Sequence, residues 1–341
     1  MPKFLIVAPS WIGDALLAQP LLRRLHDKLG RVSIDVFAPA WCGPLLARMP
    51  EVNEVIESPF AHGDLKLRAR WRLGRSLAPR KYDSAIVLPN SFKSALVPFF
   101  ADIPLRAGYV GESRYGLLNV VHKLDKAKLP LMAERYAQLA EKPGEEVARP
   151  LPQVRLAADP VNLARNTARL GLDPRRDIAV FCPGAEYGPA KRWPARHFGV
   201  LASLLAVRGY AVWLLGSKAD EALGEEIRAI AGGECHNLCG KTDIASAVDL
   251  MSCAKLVVSN DSGLMHVAAA LGRPLVALYG SSSPAHTPPM LASARIVSTG
   301  IECSPCFQRV CPLGHFKCMI ELSPQRVLAE IDAVRETAGA G

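Results

Sequence analysis

Short apolar-rich runs recur along the chain, each followed by a turn of glycine and polar residues and then by a stretch with helical spacing. The first, residues 4–7 (Phe-Leu-Ile-Val), is apolar throughout, which marks a central strand of a parallel sheet covered on both faces. Residues 32–37, 52–56 and 85–88 repeat the pattern. Helical stretches separate them. The first of these reaches about residue 29, and Pro20 forces a kink or restart in it, because proline has no N–H to donate in mid-helix. A second series begins at 178–182 and continues at 211–215, 256–258 and 275–279, with helices from about 194, from about 219 and over 264–271. Such alternation predicts right-handed crossovers and doubly wound α/β sheets. The pattern lapses between about 141 and 160, where Glu-Lys-Pro-Gly-Glu-Glu-Val-Ala-Arg-Pro-Leu-Pro carries no apolar period. Two domains are therefore expected, 1–155 and 176–322, connected through 156–175. A final segment, 323–341, holds an amphipathic helix over 324–335.

The densest chemistry lies in 254–280. An apolar strand runs into Ser259-Asn260-Asp261-Ser262-Gly263, and an alanine-rich helix follows until Gly272 stops it. Asp261 or Ser262 can cap that helix, and Gly263 lets a ligand approach the backbone. The helix N–H groups and positive dipole end then form an anion site, with His266 one turn on and on the same face as Ser262. The plainer reading is a capped helix with His266 as an ordinary surface residue. Residues 183–194, Pro-Gly-Ala-Glu-Tyr-Gly-Pro-Ala-Lys-Arg-Trp-Pro, form a long loop after the strand at 178–182, where Lys191 can serve a phosphate as a point charge. Asn90 and Lys93 follow the strand at 85–88, again at the carboxyl edge where open α/β sheets bind ligands. Asp14 follows the first strand, and it reads either as an N-cap for a helix beginning near Ala15 or as a carboxylate facing substrate.

Composition sharpens this picture. The 341 residues suit two domains, and half of them are hydrophobic against 21% charged, which describes a folded globular chain. No run approaches the roughly 18 apolar residues of a spanning helix. The opening Met-Pro-Lys-Phe-Leu-Ile-Val-Ala-Pro-Ser reads as a strand rather than a signal peptide, so a cytoplasmic location is expected. A formal net charge of +9 favours an acidic partner. No nucleic-acid motif accompanies it, which leaves a phosphorylated substrate or an anionic membrane surface. Seven cations crowd 65–81 (Lys66, Arg68, Arg70, Arg72, Arg75, Arg80, Lys81), as a solvated helix face or as a docking surface for anionic lipid or acidic sugars. The first strand–helix turn lacks the Gly-x-Gly-x-x-Gly of dinucleotide folds, which argues against an epimerase or dehydrogenase, and no cofactor is expected. Of nine cysteines, Cys303, Cys306, Cys311 and Cys318 cluster around His315. They suit either a compact zinc site or reduced structural thiols, the latter favoured in a cytosolic enzyme.

Together, Ser10-Trp11-Ile12-Gly13-Asp14, the loop 183–194, the motif 259–272 and the cysteine-rich stretch 303–319 resemble the lipopolysaccharide heptosyltransferases over nearly the whole chain. The second and fourth resemble the type II branch more than type I. The resemblance implies the GT-B architecture, two Rossmann-like domains facing a central cleft: an acceptor domain first, a donor domain second, and a C-terminal helix returning to the first. It also implies inverting transfer of heptose from ADP-heptose to the first heptose of the inner core, on heptosyl-Kdo2-lipid A, without a metal. The chain contains no Asp-x-Asp of the kind that holds a metal–diphosphate. By position, the resemblance makes Asp14 the base and Lys191 a diphosphate contact. Asp261, Ser262, Gly263 and His266 match the donor motif, with Ser262 where some relatives carry threonine, and Thr242 falls near an adenine contact. The paired threonines that some type I members use on the phosphate are missing around Glu186-Tyr187. The implied setting is the inner face of the cytoplasmic membrane, with peripheral contact through the basic surface. Remaining alternatives are a heptosyltransferase of another step and a non-catalytic nucleotide-sugar-binding protein of the same fold.

Overall fold

The computed structural model describes residues 1–61 and 63–339, with side chains in the last helix through residue 334. The chain divides into two compact units, Met1–Val154 and Arg155–Gly341. The first runs β1 (Lys3–Val7), α1 (Ile12–Leu17), α2 (Gln19–Leu29), β2 (Ser33–Pro39), α3 (Gly43–Leu46), β3 (Glu54–Ser58), α4 (Leu67–Leu77), β4 (Ser84–Val87), α5 (Leu96–Phe100), β5 (Leu105–Tyr109), β6 (Val120–His122) and α6 (Met132–Ala137). Its six strands are all parallel, in the order β3-β2-β1-β4-β5-β6. Leu5, Val7, Ala85 and Val87 from the two central strands lie in its core.

The second unit runs α7 (Pro160–Leu170), β7 (Ile178–Cys182), α8 (Ala195–Val207), β8 (Ala211–Leu214), α9 (Glu221–Ala231), β9 (Cys235–Asn237), α10 (Ile244–Ser252), β10 (Leu256–Asn260), α11 (Gly263–Ala270), β11 (Leu275–Leu278), β12 (Arg295–Val297), α12 (Lys317–Ile320) and α13 (Pro324–Gly339). Its parallel sheet, β12-β11-β10-β7-β8-β9, repeats the connectivity of the first. In each sheet the strand order reverses once, between β1 and β4 and between β7 and β10. Loops leaving the carboxyl ends on either side of such a reversal diverge and open a crevice, where sheets of this kind take ligands. Asp14 and Asn90 follow β1 and β4; Lys191 and Asp261 follow β7 and β10.

Several expectations shift. The 156–175 connection holds α7, whose start Asp159 caps by accepting the N–H groups of Val161 (2.9 Å) and Asn162 (3.2 Å). Buried Asp249 then accepts from the Asp159 N–H at 2.7 Å and from Asn162 Nδ2 at 2.5 Å, fastening α7 to α10. The C-terminal helix places Val327, Ile331 and Val334 in the second unit's own core. The last two residues of the expected 323–341 segment lie outside the described residues. The basic run is not one solvated face: Arg70 is buried, donating to the carbonyls of Asp64, Leu65 and Lys93 with its guanidinium 4.0 Å from the Phe60 ring centroid. Among the described residues, no helix is long and apolar enough to cross a membrane.

Candidate active site

In the second unit, β10 ends in the fully buried Asn260, which spans the reversal point. Its Nδ2 donates to the Pro183 carbonyl (2.7 Å) and its Oδ1 accepts the Trp193 N–H (3.1 Å), so one amide fixes both ends of the loop after β7. Trp193 is itself buried, with its indole N–H on the Leu322 carbonyl at 2.7 Å. Lys191 is thereby carried to Asp261, and its Nζ donates to Asp261 Oδ2 at 2.6 Å. Ser282 Oγ donates to the same oxygen at 2.5 Å. Asp261 is buried and Lys191 nearly so, with the ammonium 5.0 Å from the Tyr187 ring centroid.

The expected cap is not what forms. Ser262 occupies the N-cap position of α11 without a side-chain cap bond, and Asp261 is taken up by Lys191 and Ser282. The two hydroxyls of Ser259 and Ser262 instead lie within 3.4 Å of one another. Gly263 opens the helix, so its first N–H groups have no capping side chain from this turn. His266 is buried rather than superficial. Burial pushes its pKa down to about 4, against an upward pull from Asp261 and with a further push from Lys191, so it is neutral near pH 7. Thr242 is half-buried in the turn before α10, next to Asp243, which caps that helix on the Ser246 N–H at 2.8 Å. No hydrogen bond or ion pair among the described residues joins Thr242 to the Lys191–Asp261 pair.

A depressed histidine pKa couples folding to acid. An unfolded histidine takes its proton near pH 6.5, whereas folded His266 resists until about 4. The unfolded state therefore binds more protons between those values, and stability is lost as pH falls from 6.5 towards 4. At pH 4.5 His266 should account for about 2–3 kcal/mol of that loss. Denaturant midpoints at pH 7 and pH 4.5 for the native chain and His266→Gln provide the check. Equal losses in both proteins would remove His266 as the cause.

The loop that carries Lys191 leans on the irregular stretch between β12 and α12. Ala190 N–H donates to the Arg309 carbonyl (3.1 Å), Tyr187 Oη donates to the Phe307 carbonyl (2.7 Å), and the Arg309 guanidinium sits 5.2 Å from the Tyr187 ring centroid. At Gly188 a Cβ would fall 2.4 Å from the Arg309 carbonyl oxygen, so only glycine permits this approach. The same stretch donates Phe307 N–H to Ser281 (2.6 Å) and Ser304 Oγ to Gly280 (2.6 Å), behind Ser282. Cys303, Cys306, Cys311 and Cys318 line one small cavity here with His315, and all four are free thiols. Among the described residues, no group of three or more His, Cys, Asp or Glu side chains is placed to hold a metal ion. Cys311 accepts the Phe316 N–H at 3.4 Å, and this amide with those of Leu313, His315 and Gly314 lowers its pKa.

In the first unit, α1 begins at Ile12 with Trp11 at its N-cap position, and the Trp11 carbonyl accepts the Ala15 N–H at 2.9 Å. Asp14 thus stands in the first helical turn rather than capping it. It is half-buried, and its charge adds to burial in raising the pKa of the Tyr136 phenol. Trp41 braces the same loop, donating its indole N–H to the Ser10 carbonyl at 3.1 Å. Asn90 is exposed and Lys93 half-buried, in the loop after β4. The organiser of that loop is a residue the sequence did not single out. Arg114, fully buried, donates to the carbonyls of Pro89 (2.6 Å), Ser91 (3.2 Å) and Tyr109 (2.7 Å), to Ser94 Oγ (2.9 Å) and to Asn90 Oδ1 (3.3 Å). Burial brings its pKa down to about 10, still charged at neutral pH. Ser282 and Asn260 are the corresponding omissions in the second unit.

The sequence pattern of glycosyltransferase family 9 (heptosyltransferase) matches residues 70–317. The chain belongs to that family. This family 9 glycosyltransferase is 48% identical over 343 residues to lipopolysaccharide heptosyltransferase 2 of Escherichia coli (strain K12), covering 97% of this chain and 98% of that protein. It is 50% identical over 309 residues to lipooligosaccharide heptosyltransferase 2 of Haemophilus influenzae, covering 86% and 88%. The solved E. coli ADP-heptose lipopolysaccharide heptosyltransferase II superposes on it with a TM-score of 0.89 at 45% identity, covering 99% of each chain. The fold of this glycosyltransferase is accordingly GT-B.

Proposed function

We propose that this glycosyltransferase moves L-glycero-D-manno-heptose from ADP-heptose to the first heptose of the lipopolysaccharide inner core, by direct displacement with inversion and without a metal. The relatives' names support the sugar, the donor and the pathway step. The observation that carries the chemistry is the ammonium of Lys191, held by the buried Asp261 carboxylate two residues before α11, whose N-terminus has no side-chain cap, so that two positive groups sit near one another for an anion to share.

An inverting transfer needs a base for the acceptor hydroxyl and a stabilised leaving group. In this reading Asp14 takes the hydroxyl proton as that oxygen attacks the anomeric carbon. The bond from that carbon to the diphosphate oxygen breaks, and ADP leaves with the electron pair. Lys191, the N–H groups at the start of α11 and the Ser262 hydroxyl meet the growing negative charge. Gly263 leaves the diphosphate room to approach. Asp261 would repel a diphosphate directly, so its part is to orient Lys191. His266, being neutral, serves as a hydrogen-bonding group rather than a counter-ion. Thr242 is assigned to the adenine, and Asn90 and Lys93 to the acceptor, whose Kdo carboxylates and phosphates suit the +9 chain. The acceptor is lipid-borne, which puts the reaction at the inner face of the cytoplasmic membrane.

The test is the purified enzyme with ADP-heptose and heptosyl-Kdo2-lipid A, read by product mass. A gain of one heptose supports the reading. Transfer only to Kdo2-lipid A would make this the first heptosyl step instead, and ADP binding without any product would make the chain a binding protein. Transfer is also expected to survive EDTA unchanged. Activity lost to the chelator and restored by Mg²⁺ or Mn²⁺ would overturn the metal-free displacement.

A further inference from the structure

The face of the first unit built by α4 and α5 is exposed, aromatic and cationic at once. Along α4, Leu67 is 50% exposed and Trp71 51%, one turn apart on one stripe, with Leu65 (51%) just before the helix. Phe99 on α5 is 39% exposed, and Leu105 at the start of β5 is 51%. Trp71, Arg75, Phe99, Phe100, Ile103 and Arg106 line one surface groove. The helices meet closely: a Cβ on Gly74 would fall 2.5 Å from Phe100 Cβ, so α4 and α5 form one rigid platform. Arg106 fixes its far side, bonding to the Ile103 and Leu117 carbonyls at 2.6 Å each while its guanidinium lies 5.4 Å from the Phe99 ring centroid.

The charges on this face are uneven in their commitments. Lys66 is paired with Asp64, and Arg75 with Asp102. Arg68 and Arg72, also one turn apart on α4, are exposed and have no ion-pair partner among the described residues. Exposed large apolar side chains are normally scattered; several on one platform beside uncommitted arginines mark a binding surface. Aromatic rings interleaved with arginines are the composition of an interfacial helix on anionic lipid, where rings enter the head-group layer and cations meet phosphates. Because α4 starts from the loop after β3, its first turn stands at the carboxyl edge of the sheet that also carries Asp14.

We propose that the α4–α5 face docks the enzyme on an anionic phospholipid bilayer, with Trp71, Leu67 and Phe99 entering the interface and Arg68 and Arg72 holding lipid phosphates. This deepens the functional reading and rests on its lipid-borne acceptor. Docking would keep the acceptor-side loops next to the layer from which the core sugars project.

The test is co-sedimentation with vesicles of phosphatidylethanolamine and phosphatidylglycerol, against vesicles of phosphatidylcholine alone. The native enzyme should bind the anionic vesicles and hardly the neutral ones. Arg68→Glu with Arg72→Glu should weaken that binding at least about thirtyfold. Trp71→Ser with Phe99→Ser should weaken it as well. Arg31→Glu with Lys126→Glu, an equal charge change at exposed sites elsewhere in the same unit, should have little effect. All four proteins should transfer heptose equally to a de-acylated, water-soluble acceptor. Native-like vesicle binding by the arginine pair variant would overturn the proposal, as would an equal loss in the control pair, which would reduce the effect to net charge. Self-association of the native enzyme that Trp71→Ser with Phe99→Ser abolishes would make the face an interface between copies and overturn it too. If the functional reading fails instead, the native enzyme transfers to neither acceptor, while its vesicle binding still reports on the face.

Discussion

Asp14→Asn should fold normally and lower kcat by roughly 10²–10⁴-fold, the span lost with a general base. Its position makes the two effects separable. Asp14 sits in the first turn of α1 rather than at the cap, so an amide of the same size keeps the helix start and gives up a helix-dipole interaction of about 0.3–1 kcal/mol. Affinity for ADP-heptose should be nearly unchanged, since the residues proposed to bind the donor lie in the other unit. Calorimetric binding of ADP-heptose, a melting curve and kcat on one preparation give all three quantities. A folded Asp14→Asn enzyme with near-native kcat would dismiss Asp14 as the base.

Lys191→Ala should act on two properties at once. Loss of one charge-assisted contact to the diphosphate should weaken donor binding by about 1.5–3 kcal/mol, or roughly 10–150-fold. The same change leaves Asp261 buried with Ser282 as its one remaining side-chain donor among the described residues, which should cost a further 1–3 kcal/mol or so of folding stability. Adding Asp261→Asn neutralises the stranded carboxylate. The double variant should therefore regain much of its stability and none of its donor affinity. Because the two residues touch, their effects will not add, and the double-variant comparison isolates that coupling. Recovery of donor affinity together with stability would reduce Lys191 to a structural partner.

The parts legible in advance were those with one dominant cause. Strands buried on both faces read as unbroken apolar runs, so β1, β7, β10 and β11 stood out, and Pro20 marked where α1 gives way to α2. The short outer strands β6, β9 and β12 were missed, because Val-Val-His, Cys-His-Asn and Arg-Ile-Val carry no period of their own and pair on one side only or at three residues. Near Asp14 the helix start was misplaced because Gly13-Asp14 looks like a stop and a cap, whereas the turn already closes on the Trp11 carbonyl. The sequence marks Lys191 and Asp261 each as a donor-site candidate, but their pairing across 70 positions depends on Asn260 bridging two loops. Arg70 and Arg114 hid for a related reason. A buried arginine satisfied by carbonyls has the same letter as a solvated one, and only the fold supplies the carbonyls.

Lys191 is backed by a stretch of chain, between β12 and α12, that has neither helix nor strand. Its hold on Ala190, Tyr187 and Gly188 lasts only while that stretch keeps its own fold. Such segments open locally at a lower free energy than a sheet does. With Lys191 in its proposed role, every molecule caught open would withdraw its ammonium from the donor, and the apparent Kd would equal the intrinsic one divided by the closed fraction. Substitutions in 303–316 that never touch ADP-heptose would then still tune how much of it the enzyme binds, by changing how often the brace is shut.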